Sequence, residues 1–341
     1  MASVAKNSLD LLRLVAATLV LYSHQHALTG QAEPSFFGWN TFGGAGVTIF
    51  FFLIGLLVWS SWERDPDLKR FFLRRSLRIF PALWVVVIAS VFLLGPVVSN
   101  LSAMDYFASS QTWRYLSTAL LVVRNVLPGV FADNPYPLAV NGSLWTLPVE
   151  FLCYVSVALL GSNKLVSKGL VIGIGLLLVV LLASIAPMLI GDRFSPHFEM
   201  VAVFWWGVFY QYCSANPLSE KPHWRQTMVW GFIAMVIYIS VGPRGVDRSA
   251  MLVVAAALVI VALKIPSGAR VTDRLGDLSY GLYIFAFPIQ QLLAQWSHDR
   301  GWSFGFLLCL ALALTSAFAY ASWHLVEKQA FRLKPSTCIA T

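Results

Sequence analysis

The stretch LDLLRLVAATLVLYSHQHA, residues 9–27, is an apolar run with Arg13 near its start and His24 near its end. Read as an α-helix, it sets these two residues eleven positions apart, close to three whole turns. Both side chains then project from one face, roughly 16 Å apart along the axis. Charged and titratable groups within an apolar helix are costly in hydrocarbon and turn toward a protein interior, an aqueous path or a partner. Two readings stand at this point. One is a positive-inside arginine at the interface with a histidine capping the helix end; the other is a cationic hook at one depth and an imidazole at another.

The apolar character extends over the whole chain. Of 341 residues, 58% are hydrophobic and 12% charged, against about 25% charge in a soluble domain. The sequence therefore predicts an all-α polytopic membrane protein with about ten transmembrane helices, near residues 9–28, 42–62, 78–98, 144–161, 169–190, 197–213, 227–242, 248–264, 279–296 and 303–325. The first run has only Lys6 ahead of it and no small-x-small cleavage site behind it, so it reads as a retained helix, not a signal peptide. A single membrane domain is expected over residues 1–335, with a short cytoplasmic tail at 336–341.

A net charge of +8 invites a nucleic-acid reading, but the cations gather in alternate loops instead. One side collects Arg64, Lys69, Arg70, Arg74, Arg75 and Arg78, then Lys164, Lys168, Lys221, Arg225, Lys264, Arg270 and Arg274, and in the tail Lys328, Arg332 and Lys334. The opposite loops hold only Arg114, Arg124, Arg193, Arg244, Arg248 and Arg300. By the positive-inside rule both termini are cytoplasmic, Arg13 lies toward the cytoplasm and His24 toward the outside. Cys153, Cys213, Cys309 and Cys338 are scattered without metal-ligand spacing, and no metal is predicted.

Further stretches carry chemistry. In FFLRRSLRIFPALW, 71–84, Arg75 and Arg78 share a helical face, suited either to the phosphates of an anionic ligand or to lipid headgroups. The second span opens on GGAG at 43–46 and continues through FFF at 50–52 to Gly55, which reads as a close helix approach or as a lipid-facing aromatic stripe. Residues 99–143 form the longest non-spanning region, with a re-entrant or amphipathic helix expected at 113–127 and a role as roof over an acceptor site. SLWTLPVEFLCY, 143–154, sets Glu150 at a depth similar to that of His24, where a carboxylate needs an arginine or histidine partner, in catalysis or as a structural tie. Pro148 is expected to loosen that helix. In GDLSYGLYIFAFPIQ, 276–290, Ser279, Tyr280 and Tyr283 are expected to line the cytoplasmic half of a cleft, with a kink at Pro288. Glu327 reads as an interfacial counter-charge to Lys328 or Arg332.

Taken together, these residues resemble the bacterial membrane acyltransferase-3 family over essentially the whole chain. Asp10, Arg13 and His24, with ten residues between the last two, match its opening pattern; RRSLRIFP at 74–81, SLWTLPVE at 143–150 and SYGLYIFAFP at 279–288 match three more of its motifs in order. The resemblance implies a multi-pass protein of the bacterial inner membrane that moves an acyl group, most often acetyl, from cytoplasmic acyl-CoA to a hydroxyl of an extracytoplasmic or lipid-linked glycan. It implies that Arg13, Arg75 and Arg78 receive the CoA phosphates, that Tyr280 lines the donor path, that His24 is the base or a nucleophilic relay, and that Glu150 is its orienting or electrostatic partner. The partners implied are acetyl-CoA or another acyl-CoA, a glycan or lipid-linked sugar, and membrane lipids, with no nucleic acid. Ile54 stands where the family has serine, Ala286 where many members have histidine, and the terminal motif keeps only Glu327. The competing expectation is a transporter or flippase for an anionic or acylated lipid-sugar, since intramembrane Arg, His and Glu bind as readily as they catalyse. Such a fold favours inverted repeats, and inspection finds no convincing internal repeat.

Overall fold

The computed structural model describes residues 8–162, 167–191, 195–214, 224–241, 244–265, 276–297 and 300–335. Lys6, Lys164, Arg193, Lys221, Arg270, Arg274, Cys338 and the tail at 336–341 lie outside these residues.

Apolar runs bounded by short polar caps become ten long helices among the described residues. They are α1 (Leu9–Leu28), α2 (Phe42–Arg64), α3 (Leu68–Ala89), α4 (Thr146–Gly161), α5 (Lys168–Ile190), α6 (Ser195–Ser214), α7 (Trp224–Ser240), α8 (Gly245–Lys264), α9 (Ser279–Ser297) and α10 (Phe304–Ser322). The caps are local chemistry: the Thr41 hydroxyl accepts from the Gly44 amide at 3.0 Å, and the Asp67 carboxylate accepts from the Arg70 amide at 2.8 Å. Because Asp67 caps it, α3 begins ten residues ahead of the expected span, so the whole RRSLR block is helical. Beyond Ala89, α3 passes through a π-turn (Ser90–Leu94) to Val98, and α10 similarly through Trp323–Glu327 to Phe331. Pro148 is the third residue of α4, which continues directly from a 3₁₀ turn, Gly142–Trp145.

Among the described residues six segments are long and apolar enough to cross a membrane by length and composition: Phe42–Arg64, Leu68–Val98, Gly142–Gly161, Lys168–Leu189, Gly245–Lys264 and Phe304–Phe331. The protein is thus an all-α polytopic membrane protein. Of the other long helices, α7 has 17 residues, and α1, α6 and α9 carry the polar residues of the interior. Large apolar side chains such as Leu93, Val97, Leu189 and Phe232 are exposed, as a surface facing hydrocarbon requires.

Two connections differ from expectation. The helix anticipated at 113–127 is instead a pair of short helices, Ala103–Ala108 and Ser110–Tyr115, followed by a 3₁₀ turn, Leu116–Leu120. Leu121 ends it in the left-handed region at φ 66°, and the Val122–Val123 pair that follows favours extended backbone. The α1–α2 connection folds into a small antiparallel hairpin, β1 (Ser35–Phe36) with β2 (Asn40–Thr41), paired Ser35 to Thr41 and Phe36 to Asn40.

The closest helix crossing lies between α2 and α6 and rests on two glycines. A Cβ on Gly55 would come within 2.0 Å of the Phe204 carbonyl oxygen, and one on Gly207 within 2.1 Å of the Phe52 carbonyl oxygen. Phe51 and Phe52 are buried at this crossing, so of the two readings of the FFF–Gly55 stretch the close approach is the one realised. Neither contact can be relieved by rotating a side chain. Gly207→Ala is expected to destabilise the detergent-solubilised protein by about 1–3 kcal/mol, the usual cost of overpacking. Gly305→Ala, at a helical position with open space around it, is expected to leave the thermal midpoint unchanged or slightly raised. Paired thermal unfolding curves check both.

Candidate active site

Arg13 and His24 lie on the same face of α1 and open onto different cavities. At the arginine end, Asp65 in the turn between α2 and α3 receives Arg70 Nη2 at 2.6 Å and Arg74 Nη1 at 2.6 Å. These bonds hold its carboxyl at about 2, below the usual carboxylate range. Arg70 and Arg74 therefore bind the α2–α3 turn.

The other arginines turn inward. Arg78 pairs with Asp277 at 2.5 Å, and Arg13 reaches Asp10 at 2.7 Å and Asp277 at 3.9 Å. Burial alone would favour the neutral acid at Asp277, but the charges of Arg78 and Arg13 override it and hold the carboxyl well below its ordinary range. Arg75 stacks its guanidinium over Phe71 and Tyr154 at 5.7 and 5.6 Å, and its buried Nε has no hydrogen-bond partner. These side chains line a narrow inner cavity of about 70 Å³, with Glu150, Tyr154 and Tyr280 among its walls. Tyr280 donates to the Ile79 carbonyl at 2.7 Å, and Glu150 accepts from Tyr154. The charges bearing on Glu150 are those of Arg78, Arg75 and Arg13.

His24 lies about three turns further along α1, in the wall of a larger outer cavity of about 590 Å³. Glu33, Trp39, Trp145, Glu199 and Arg248 share that wall. The imidazole meets Phe287 edge to face at 5.3 Å, and its Nδ1 is buried with no hydrogen-bond partner. Val47 and Tyr283 line both cavities. The Tyr283 hydroxyl bonds Thr146 at 2.9 Å and donates to the Ser143 carbonyl at 3.0 Å, so the SLWT and SYGLY stretches meet at the boundary.

Arg13, Arg75, Arg78, Glu150 and Tyr280 thus come together at the inner cavity, while His24 opens on the outer one. The carboxylate that bears on His24 is Glu33, in the α1–α2 connection. Sequence reasoning passes over Glu33, Asp277 and Tyr154. Asp277 sits in the quoted GDLSYG stretch, where two residues ahead of a polar helix start is a usable signal for a fixed carboxylate; Glu33 offers no comparable periodicity. The outer cavity draws on the 33–44 segment and, from the 99–143 region, on Ser143, while Tyr136 of that region packs on α9 and meets Phe287 at 6.1 Å.

The departures from the family pattern also find places. Ile54 lines the inner cavity, and Ala286 fills a small apolar cluster with Ala17, Leu21, Leu282 and Ala319. Glu327 is 1% exposed and accepts from Ser322 at 2.9 Å, so it is an interior group and not an interfacial counter-charge: the π-turn carries it inward. Among the described residues no group of three His, Cys, Asp or Glu side chains is arranged to hold a metal ion.

Comparisons with known proteins bear on this geometry. The acyltransferase domain model of the acyltransferase-3 family matches residues 6–322. An O-acetyl transferase of Shigella phage Sf6 is 32% identical over 334 residues, covering 95% of each chain. Nodulation protein 10 of Rhizobium leguminosarum bv. viciae is 28% identical over 364 residues, 97% of this chain and 95% of that protein. The peptidoglycan O-acetyltransferase OatA of Listeria monocytogenes is 33% identical over 191 residues, 51% of this chain and 28% of its own length. No solved structure matches the chain significantly. The two-chambered bundle therefore belongs to an O-acyltransferase of the acyltransferase-3 family, a multi-pass protein of the bacterial cytoplasmic membrane.

Proposed function

We propose that this protein transfers an acyl group, in the first place acetyl, from cytoplasmic acyl-CoA to a hydroxyl of an extracytoplasmic or lipid-linked glycan. The observation that carries the reading is the pair of neighbouring cavities that share Val47 and Tyr283 in their walls, one gathering three arginines and the other opening on His24. Guanidinium groups match phosphate geometry, and the separation of Arg13 from His24 along α1, roughly 16 Å, is of a length that a pantetheine arm spans. In this reading Arg13, Arg75 and Arg78 receive the CoA phosphates from the cytoplasmic side. Tyr280, fixed on the Ile79 carbonyl, walls the donor path. Glu150, bonded by Tyr154, serves the donor side by balancing the arginine charge, whereas the sequence alone suggests a place beside His24.

The thioester carbonyl then lies near the boundary of the cavities, and the acceptor hydroxyl enters the outer one. The imidazole of His24 takes the hydroxyl proton as that oxygen attacks the thioester carbon. The C–S bond breaks, and the proton passes from the imidazolium to the departing thiolate. Trp39 and Trp145 offer flat apolar surface, and Asn40 and Glu199 hydrogen-bonding groups, of the kind that sugar rings require. The names of the O-acetylating relatives support acetyl as the group transferred.

Two expected outcomes test the assignment in proteoliposomes with acyl-CoA on the arginine side and a panel of glycans on the other. His24→Ala keeps the folded, monodisperse protein but lowers transfer by about 10²–10⁴-fold, the range of a general base. Arg75→Gln raises the donor KM by about 10-fold or more, the worth of one charge-assisted hydrogen bond to phosphate, with a smaller change in kcat. Arg75 is the informative arginine because it forms no ion pair with Asp277, so its loss leaves that carboxylate paired. Wild-type protein that acylates no competent acceptor, yet moves an unmodified lipid-sugar equally well with or without His24, would instead make it a transporter.

A further inference from the structure

His24 begins neutral, takes a proton during transfer and then carries positive charge in an apolar bundle. A carboxylate within electrostatic range is what lowers the cost of that charge. The site described above leaves Glu150 on the donor side, bonded by Tyr154 and surrounded by arginines. The outer cavity supplies another acid. Glu33 shares its wall with His24, and its Oε2 accepts the hydroxyl hydrogen of Ser23, the residue next to His24 on α1. The geometry is built from three segments. α1 gives the buried Ser23, the fold-back of the α1–α2 connection brings Glu33 over it, and Gly43 at the start of α2 makes the space. A Cβ at Gly43 would lie 3.0 Å from Ser23 Cβ and 3.4 Å from Glu33 Oε2. Neither ring nitrogen of His24 forms an ion pair with a carboxylate among the described residues, Glu33 included, and Nδ1 is buried and without a partner, so Glu33 would act on the imidazole across the cavity as a nearby charge.

We infer that Glu33, held by Ser23 against α1, is the positioning carboxylate of the acceptor chamber, stabilising the protonated imidazole of His24 while the glycan hydroxyl attacks. The inference rests on the transferase reading for its role in turnover, but the pairing of the two side chains can be measured without turnover. The acids of the site then serve different ends, Asp277 and Glu150 balancing the donor arginines and Glu33 supporting the base. The other charged or titratable groups that face His24 across the outer cavity are Tyr283 of α9, Glu199 of α6, and Arg244 and Arg248 at the start of α8. None of these has the Ser23 tether.

Glu33→Gln separates charge from shape, since the amide oxygen still accepts the Ser23 hydrogen bond. Two readouts are taken on the full-length protein. The first is kcat and donor KM for transfer. The second is the pH dependence of His24 acylation by diethylpyrocarbonate, which reacts with neutral imidazole, followed by mass spectrometry at His24. With Glu33→Gln the expected result is a kcat lower by about 10-fold or more, a donor KM within about twofold, and a half-reaction pH for His24 lower by about one unit. The sign follows from charge: without the carboxylate the imidazolium loses stabilisation, so the ring stays neutral to lower pH. Glu33→Asp, which keeps the charge, recovers most of both values. Ser23→Ala, which only frees the Glu33 side chain, moves both in the same direction by less, and it stands in should Glu33→Gln not fold. An unmoved half-reaction pH in folded Glu33→Gln overturns the inference, whether or not the wild type transfers. If the half-reaction pH moves but wild-type protein transfers to no acceptor, the pairing stands and the transferase assignment falls.

Discussion

Three helices of this bundle meet through one carboxylate. Asp277, two residues ahead of α9, takes Arg78 of α3 at 2.5 Å and lies 3.9 Å from Arg13 of α1. In an apolar bundle an unpaired guanidinium is costly, and removing one partner of a buried pair costs about 3–5 kcal/mol. Asp277 serves two cations at once, Asp10 gives Arg13 a second partner, and Glu150 stands in the same cavity wall as the arginines. Arg75 lies outside this ion-pair set, its buried Nε unpartnered and its guanidinium over the rings of Phe71 and Tyr154. On the proposed reading, guanidinium groups fixed by pairs that would be costly to break are preorganised to receive an anion, with Arg75 the one that has no ion-pair partner of its own.

The opposite end is ordered by neutral polar groups. Gln290 donates to the Leu21 carbonyl at 2.8 Å and to the Gln25 side chain at 2.9 Å, tying α9 to α1 one turn from His24. Gln291 donates to the carbonyls of Tyr136 and Ala139 at 2.8 Å, and Asn141 returns the contact by donating to the Ile284 carbonyl at 2.8 Å. The bonds to Tyr136 and Ala139 satisfy backbone carbonyls that have no helical partner, which is how irregular chain is tolerated beside a buried helix. The segment at 99–141 is therefore fixed onto α9 and closes the side where Phe287 covers His24, leaving the outer cavity open along Trp39 and Trp145.

What is legible in the sequence is periodic. The eleven-residue interval on α1 puts Arg13 and His24 on one face; apolar runs mark the long helices, six of which among the described residues are long and apolar enough to cross a membrane, and the Arg75–Arg78 spacing gives a shared face. What stays hidden depends on chain returning in three dimensions. Glu33 reaches Ser23 only because residues 29–41 fold back as a hairpin, and no repeat in residue type announces that return. Depth along the helices matches Glu150 with His24, yet depth does not give azimuth: Glu150 turns toward Tyr154 and the arginines of α3.

The division into two cavities has a chemical logic of its own. A thioester exposed to a wide polar cavity is open to water as well as to a sugar hydroxyl, and a transferase must favour the second. The narrow cavity of about 70 Å³, walled by Phe50, Phe51 and Ile54 as well as by arginines, has little room for bulk water around an acyl chain. The wide one of about 590 Å³ is lined by polar groups such as Asn40 and Glu199, and on the proposed reading it receives the sugar. Among the described residues Val47 and Tyr283 line both, and Tyr283 is clamped by Thr146 and the Ser143 carbonyl, so the wall between the cavities is fixed. On the proposed reading, isoleucine at position 54 then keeps the donor wall apolar where the family pattern has a hydroxyl, and selectivity against hydrolysis comes from which cavity water can fill.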